Sequence, residues 1–242
     1  MNVTIRKEER NIGGLPATIE YTLSATSPFL LFVPGFPSHK DVGQNVEASE
    51  QIVQAGIAST FRYSSSRNWE LWKEAEKAGT NFEKFEKQSA TFSGKTYQQE
   101  LEELRMVVDH INQEFCPAQL YLSGTSYGGG LAALLCGESI AHLSKVLLSC
   151  PQIEPAGREQ WNCYRGFLPK EAFQEALARY QGKLRIIHSR GDRVVPFQQA
   201  RELFDAATTN DKELISLPGG NHIFTGEARK EYVRQHLDFF RG

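Results

Sequence analysis

Long apolar runs are missing from the sequence. No segment approaches the roughly 18 apolar residues that a membrane-spanning helix needs, and residues 1–10 are charged where a secretory leader would be apolar. A cytoplasmic protein with no membrane span is therefore expected. Surplus positive charge is missing too: 27 Lys and Arg stand against 29 Asp and Glu, a net charge of −2. That balance gives no footing for nucleic acid or an anionic lipid surface. Cysteine is scarce. Cys116, Cys136, Cys150 and Cys163 show no CxxC spacing, so inert thiols are expected and neither a disulfide framework nor a zinc site. No internal repeat or low-complexity tract occurs. What remains, 242 residues of which 40% are hydrophobic, suits one α/β domain with a full core.

The chain opens with alternating segments at 3–7 and 17–21 joined through Gly13-Gly14-Leu15-Pro16, a hairpin signal. Apolar strands are predicted at 29–33, 57–61, 119–123, 145–149, 184–188 and 213–217, separated by helical patterns. With the hairpin they make eight strands. The later ones do not alternate, which fits a parallel sheet covered on both faces. The clearest helix is 96–115, where Thr96 and Gln99 form a capping box ahead of an apolar stripe. A last helix, 227–240, places Tyr232, Val233, Leu237 and Phe240 on one face.

Six residues, Gly124-Thr125-Ser126-Tyr127-Gly128-Gly129, lie between a predicted strand and a predicted helix. A serine flanked by glycines at such a turn forms a nucleophile elbow, a turn too tight for side chains at its flanks that leaves the seryl oxygen exposed. A seryl hydroxyl needs a base, and the base needs an orienting carboxylate. Asp192 follows the strand at 184–188, and His222 ends the loop after the strand at 213–217. Of the other histidines, His188 lies inside its strand, His110 and His236 fall on helices, and His39 and His142 have no strand end before them. The end of the strand at 145–149 is another place for the acid; it offers only Glu154, beyond Pro151, so Asp192 is preferred.

With serine, aspartate and histidine in that order at three strand ends, the chain resembles the α/β-hydrolase superfamily over nearly its whole length. The resemblance implies an α/β-hydrolase fold: a mostly parallel eight-stranded sheet with helices on both faces, a single domain over 1–242. It implies Ser126 as nucleophile, His222 as base, Asp192 as acid, and an oxyanion hole from the backbone N–H groups of Tyr127 and Phe36. Relatives often have histidine before the glycine of the oxyanion loop; this chain has Pro34-Gly35-Phe36-Pro37, and the Phe36–Pro37 bond is a candidate cis peptide. No metal or organic cofactor is implied.

Two stretches exceed the minimal fold, 64–95 and 151–180, and both are candidate cap insertions. The first carries Trp69 and Trp72, Phe82 and Phe85, and a second capping box at Thr80 and Glu83, which predicts two short helices. The second carries Trp161, Tyr164, Phe167 and a helical pattern at 170–180. These aromatics serve either as core or as the wall of a substrate pocket. The expected function is hydrolysis of a small or medium carboxylic ester through an acyl-enzyme, with a small-molecule ester or acyl compound as substrate and the oligomeric state open. Thioesterase, carbon–carbon bond hydrolase and acyltransferase activities share the same machinery. Two rivals stand beside it. Ser126-Tyr127-Gly128-Gly129 and the run from Asp192 to Val195-Pro196 also resemble prolyl-oligopeptidase-like peptidases, whose usual propeller domain has no room here, and a hydrolase-like receptor would use the pocket only to bind.

Overall fold

The structure, a computed structural model, describes residues 5–22, 27–77, 79–92, 94–155, 164–217 and 219–242, apart from the side chains at 81 and 82. The N-terminal hairpin pairs β1 (Arg6–Ile12) with β2 (Leu15–Tyr21) around Gly13 and Gly14, which take φ of 58° and 96°. The first strand thus starts later than its pattern suggested, residues 3 and 4 lying outside the described ones, and Leu15 and Pro16 belong to β2 instead of the turn. The remaining strands are β3 (Phe29–Val33), β4 (Ser59–Tyr63), β5 (Leu120–Thr125), β6 (Leu143–Ser149), β7 (Lys183–Ser189) and β8 (Lys212–Leu217). They form one open sheet in the order β1-β2-β4-β3-β5-β6-β7-β8, with β2 antiparallel to both β1 and β4 and with β3 through β8 parallel.

β4 lies two residues beyond the predicted 57–61 because its polar residues are buried with partners. Arg62 is 1% exposed and donates to Glu20 of β2 at 3.0 Å, while Ser49 and Thr60 crowd the same carboxylate. A hydrophobic-run criterion misses a strand whose polar face is satisfied internally.

The helices are α1 (Gly43–Gln54), α2 (Trp69–Glu76), α3 (Asn81–Ala90), α4 (Tyr97–Phe115), α5 (Tyr127–Leu135), α6 (Lys170–Arg179), α7 (Phe197–Ala206) and α8 (Glu227–Arg241). Apolar residues of α4 through α7 share one core with the sheet, and those of α1 and α8 form the second core on its other face. Thr96 caps α4 and Thr80 caps α3, each in a reciprocal capping box. α8 packs against α1 and β5: Tyr232 donates to Asn45 at 2.8 Å, and His236 shares a 2.8 Å hydrogen bond with Ser123 of β5. Among the described residues no helix is long and apolar enough to cross a membrane.

Parallel strands bring their C-terminal ends to one edge of the sheet. That edge collects the turns after β3, β5, β6, β7 and β8, so residues far apart in sequence meet there.

Candidate active site

Ser126 sits at the turn from β5 into α5 with φ 57° and ψ −122°, a left-handed conformation that a non-glycine residue adopts only under strain. The geometry explains the flanking glycines. A Cβ on Gly128 would lie 2.3 Å from the carbonyl oxygen of Pro34 and 2.6 Å from that of Val33, and one on Gly124 would lie 2.5 Å from the carbonyl oxygen of Gly128. These clashes are with backbone, which cannot swing aside. Gly128→Ala is therefore expected to cost about 3 kcal/mol or more of stability. A melting temperature within a degree of wild type would contradict this packing.

Asp192 lies just beyond β7. Its Oδ1 accepts the N–H groups of Val194 at 2.7 Å and Val195 at 3.0 Å, and its Oδ2 lies 2.7 Å from His222 Nδ1. The loop carrying His222 follows β8 and presses on the Asp192 turn, since a Cβ on Gly191 would fall 2.3 Å from the carbonyl oxygen of Gly220. His222 Nε2 is 2.8 Å from Ser126 Oγ. The carboxylate can only accept, so Nδ1 carries the ring hydrogen and Nε2 accepts from the seryl hydroxyl. Burial alone would raise the Asp192 carboxyl. The hydrogen bond and charge of His222, with the two backbone N–H groups, instead bring it down to about 2. Asp192 is thus an anion at any working pH.

The pairing of β3 with β5, Val33 opposite Gly124, sets the loop after β3 beside the elbow. A Cβ on Gly35 would lie 3.0 Å from the carbonyl oxygen of Thr125 and 3.3 Å from Ser126 Cβ. Phe36 therefore follows directly past the seryl side chain, its ring 5.8 Å from that of Tyr127, and the Phe36–Pro37 peptide is cis. Among the described residues no hydrogen bond uses the N–H of Phe36, and the N–H of Tyr127 is the first of α5. The loop after β3 and the start of α5 thus meet beside Ser126.

The other sequence candidates are elsewhere engaged. Glu154 pairs with Lys170 at 3.6 Å. His188 is fully buried and donates through Nε2 to the carbonyl of Val195 at 3.0 Å; burial lowers its pKa and keeps it neutral. Cys150, at the end of β6, has its thiol close enough to Asp192 and His222 for the three to be weighed as metal ligands, their donor atoms lying within 4.8 Å of one another. Two of those groups are already hydrogen-bonded to each other. Burial, then the nearby Asp192 charge, pushes the thiol's pKa well above its usual value.

A cavity of about 1190 Å³ opens over Ser126 and His222. Its walls come from the loop after β3, the α2–α3 pair, Tyr164, Val194 and Ile223. Of the seven aromatics read as either core or pocket wall, Trp72, Phe85 and Tyr164 line it, and the side chain of Phe82 lies outside the described ones. Trp69 packs against Trp72 and Arg67 outside the lining, Phe167 packs among Tyr97, Tyr164 and Phe173, and Trp161 lies outside the described residues. Phe36, His39 and Ile223 line the cavity without having been singled out for it. His39 is held neutral by burial and by the charge of Arg67.

No family model matches the sequence, and comparison with curated proteins gives no match. Solved structures do resemble it. Est1E from Butyrivibrio proteoclasticus with bound ferulic acid is 15% identical with a TM-score of 0.72, covering 96% of this chain and 97% of that one. The dienelactone hydrolase from Anabaena variabilis is 16% identical with a TM-score of 0.70, over 98% and 96% of the two chains. XC6422 from Xanthomonas campestris, described as an α/β serine hydrolase without a lid, is 13% identical with a TM-score of 0.64, over 99% and 94%. At these identities the likeness is one of fold.

Proposed function

We propose that this chain, which has the α/β-hydrolase fold, is a serine hydrolase that cleaves a small or medium carboxylic ester through an acyl-enzyme. The observation that carries the reading is the unbroken chain from Ser126 Oγ through His222 to Asp192, with hydrogen bonds of 2.8 and 2.7 Å, at the floor of a large, mainly apolar cavity. Ser126 Oγ attacks the ester carbonyl as Nε2 of His222 takes its proton. Asp192 holds the ring in the productive tautomer and stabilises the imidazolium. The negative charge that develops on the carbonyl oxygen falls between the N–H groups of Phe36 and Tyr127. Nε2–H then protonates the departing alcohol, and water, activated by the same nitrogen, releases the acid.

Esterase and hydrolase neighbours support hydrolytic chemistry, and the cavity volume suits an ester with both acyl and alcohol parts enclosed. A panel of 4-nitrophenyl esters from acetate to octanoate, run beside a peptidyl nitroanilide and an acyl thioester, tests the reading. Faster turnover of the anilide makes the protein a peptidase, and faster turnover of the thioester a thioesterase. Binding without turnover makes it a receptor.

Trp72 reaches the cavity from α2, whereas the wall-facing Glu76 is occupied by Lys84 at 2.8 Å and Gln88 at 2.6 Å. The α2–α3 pair therefore presents mainly apolar surface to a substrate. Trp72→Ala is expected to raise KM for long acyl chains about fivefold, the loss of roughly 40 Å² of apolar contact at about 25 cal/mol per Å². Acetate turnover should change little. A uniform loss across the series, tracking a lower melting temperature, would make Trp72 ordinary core.

A further inference from the structure

The loop that supplies the Phe36 N–H has no helix or strand of its own, and the chain lacks the histidine that often precedes its glycine. The loop has turn bonds of its own, from the Ser38 N–H to the Gly35 carbonyl at 2.8 Å and from the Val42 N–H to the His39 carbonyl at 3.2 Å, and it is also held from outside. Arg67 donates through Nη1 to the carbonyl of Pro37 at 2.7 Å and through Nη2 to the carbonyl of Ser38 at 2.6 Å, the two residues directly after Phe36. The guanidinium is itself fixed, by Nε to the carbonyl of Ser65 at 3.3 Å and Nη2 to Ser65 Oγ at 3.2 Å. Its central carbon lies 4.3 Å from the ring centroid of Phe92 and 4.8 Å from that of Trp69. Phe92 also packs on the ring of Phe36, with centroids 4.7 Å apart. One planar cation with donors in a rigid fork thus joins two consecutive loop carbonyls to the first insertion.

We infer that Arg67 is a positioning residue that sets the Phe36 N–H for the oxyanion, with Trp69 and Phe92 clamping its plane. The inference rests on the proposed serine-hydrolase reading and extends it: the 64–95 insertion is a brace for the oxyanion loop as well as a pocket wall. It also accounts for Trp69, which lies outside the cavity lining. Burial weakens the hold of Arg67 on its proton to about 10, still well above neutral pH, so the brace stays cationic in ordinary buffers.

The test compares Arg67→Met and Arg67→Lys with wild type, with kcat referred to active sites titrated by a fluorophosphonate and with amide hydrogen exchange followed over residues 35–42. Displacing a donor by a fraction of an ångström is expected to lower kcat per titrated site about 100-fold in Arg67→Met with KM within about threefold, since geometry at this level carries such factors. Exchange over 36–42 should quicken about tenfold or more as the loop opens locally. Lysine keeps the charge but cannot reach both carbonyls in the same plane, so it should recover only part of the loss. Trp69→Ala should lower kcat, in contrast to the KM effect of Trp72→Ala.

A per-site kcat within threefold of wild type, or unaltered exchange over 36–42, overturns the inference. If Arg67→Met does not fold, Arg67→Lys decides on the same two readings. Should wild type neither react with the fluorophosphonate nor cleave esters, the serine-hydrolase reading has failed, and the exchange comparison still decides whether Arg67 holds the loop.

Discussion

Ser126→Ala is expected to abolish turnover, by roughly a million-fold in kcat, while the protein stays folded. The size of the effect follows from the site. Among the described residues only the Ser126 hydroxyl is hydrogen-bonded to His222 Nε2, and what survives its loss is the residual catalysis of binding and the oxyanion donors. The fold should tolerate the change because the residue's structural contacts are made by its backbone. Its N–H donates to the carbonyl of Ser149 at 2.8 Å, and its own carbonyl accepts from Gly129 at 2.8 Å and Gln152 at 3.0 Å. Alanine keeps all three and loses one hydroxyl. A fluorophosphonate should label wild type at Ser126 and leave the variant unlabelled, with matching circular dichroism spectra. Labelling at another residue, or ester turnover within tenfold of wild type, removes Ser126 as the nucleophile.

The site was legible where chemistry coincides with a break in regular structure. Ser126 stood out because glycine at 124 and 128 has a steric meaning, and Asp192 and His222 because each follows an apolar strand. A parallel sheet then brings strand ends together whatever lies between them, so the constellation could be anticipated from order alone. Strand limits were less secure where burial is polar, as at β4, whose Arg62 is buried against Glu20.

The cavity was the least legible part. Trp69 and Trp72 share a spacing of three and so neighbouring positions on α2, yet Trp72 reaches the cavity while Trp69 turns to Arg67. Helical spacing says which residues share a face of a helix, not what that face meets. Phe167 likewise joined the aromatic core around Tyr97. Arg67 carried no signal at all: amid Ser64-Ser65-Ser66 and Asn68 it resembles any solvated charge, and only the three-dimensional path of the loop after β3 gives it two carbonyls to hold.

Asp192→Asn is expected to lower kcat about ten-thousandfold, because an asparagine amide facing Nδ1 favours the tautomer that puts hydrogen on Nε2, where it cannot accept the seryl proton. Glu154→Gln should stay within about threefold of wild type, since Glu154 is bound to Lys170 and sits on a separate strand end. The opposite ranking would move the acid to the end of β6. The carboxylate also leaves a mark on stability whose sign is fixed by its pKa. In the folded protein Asp192 is lowered from 3.8 to about 2, so the folded state holds its proton less tightly than the unfolded chain does. Its stabilising contribution is therefore complete above about pH 4 and is lost as the pH falls through about 2. Asparagine cannot ionise. Thermal unfolding of both proteins across that interval should show wild type ahead at pH 6 and the difference shrinking towards pH 2. A constant difference in melting temperature across the interval would mean that Asp192 is not held as an anion by His222 and the two N–H groups, and that the carboxylate orienting the base must be sought elsewhere.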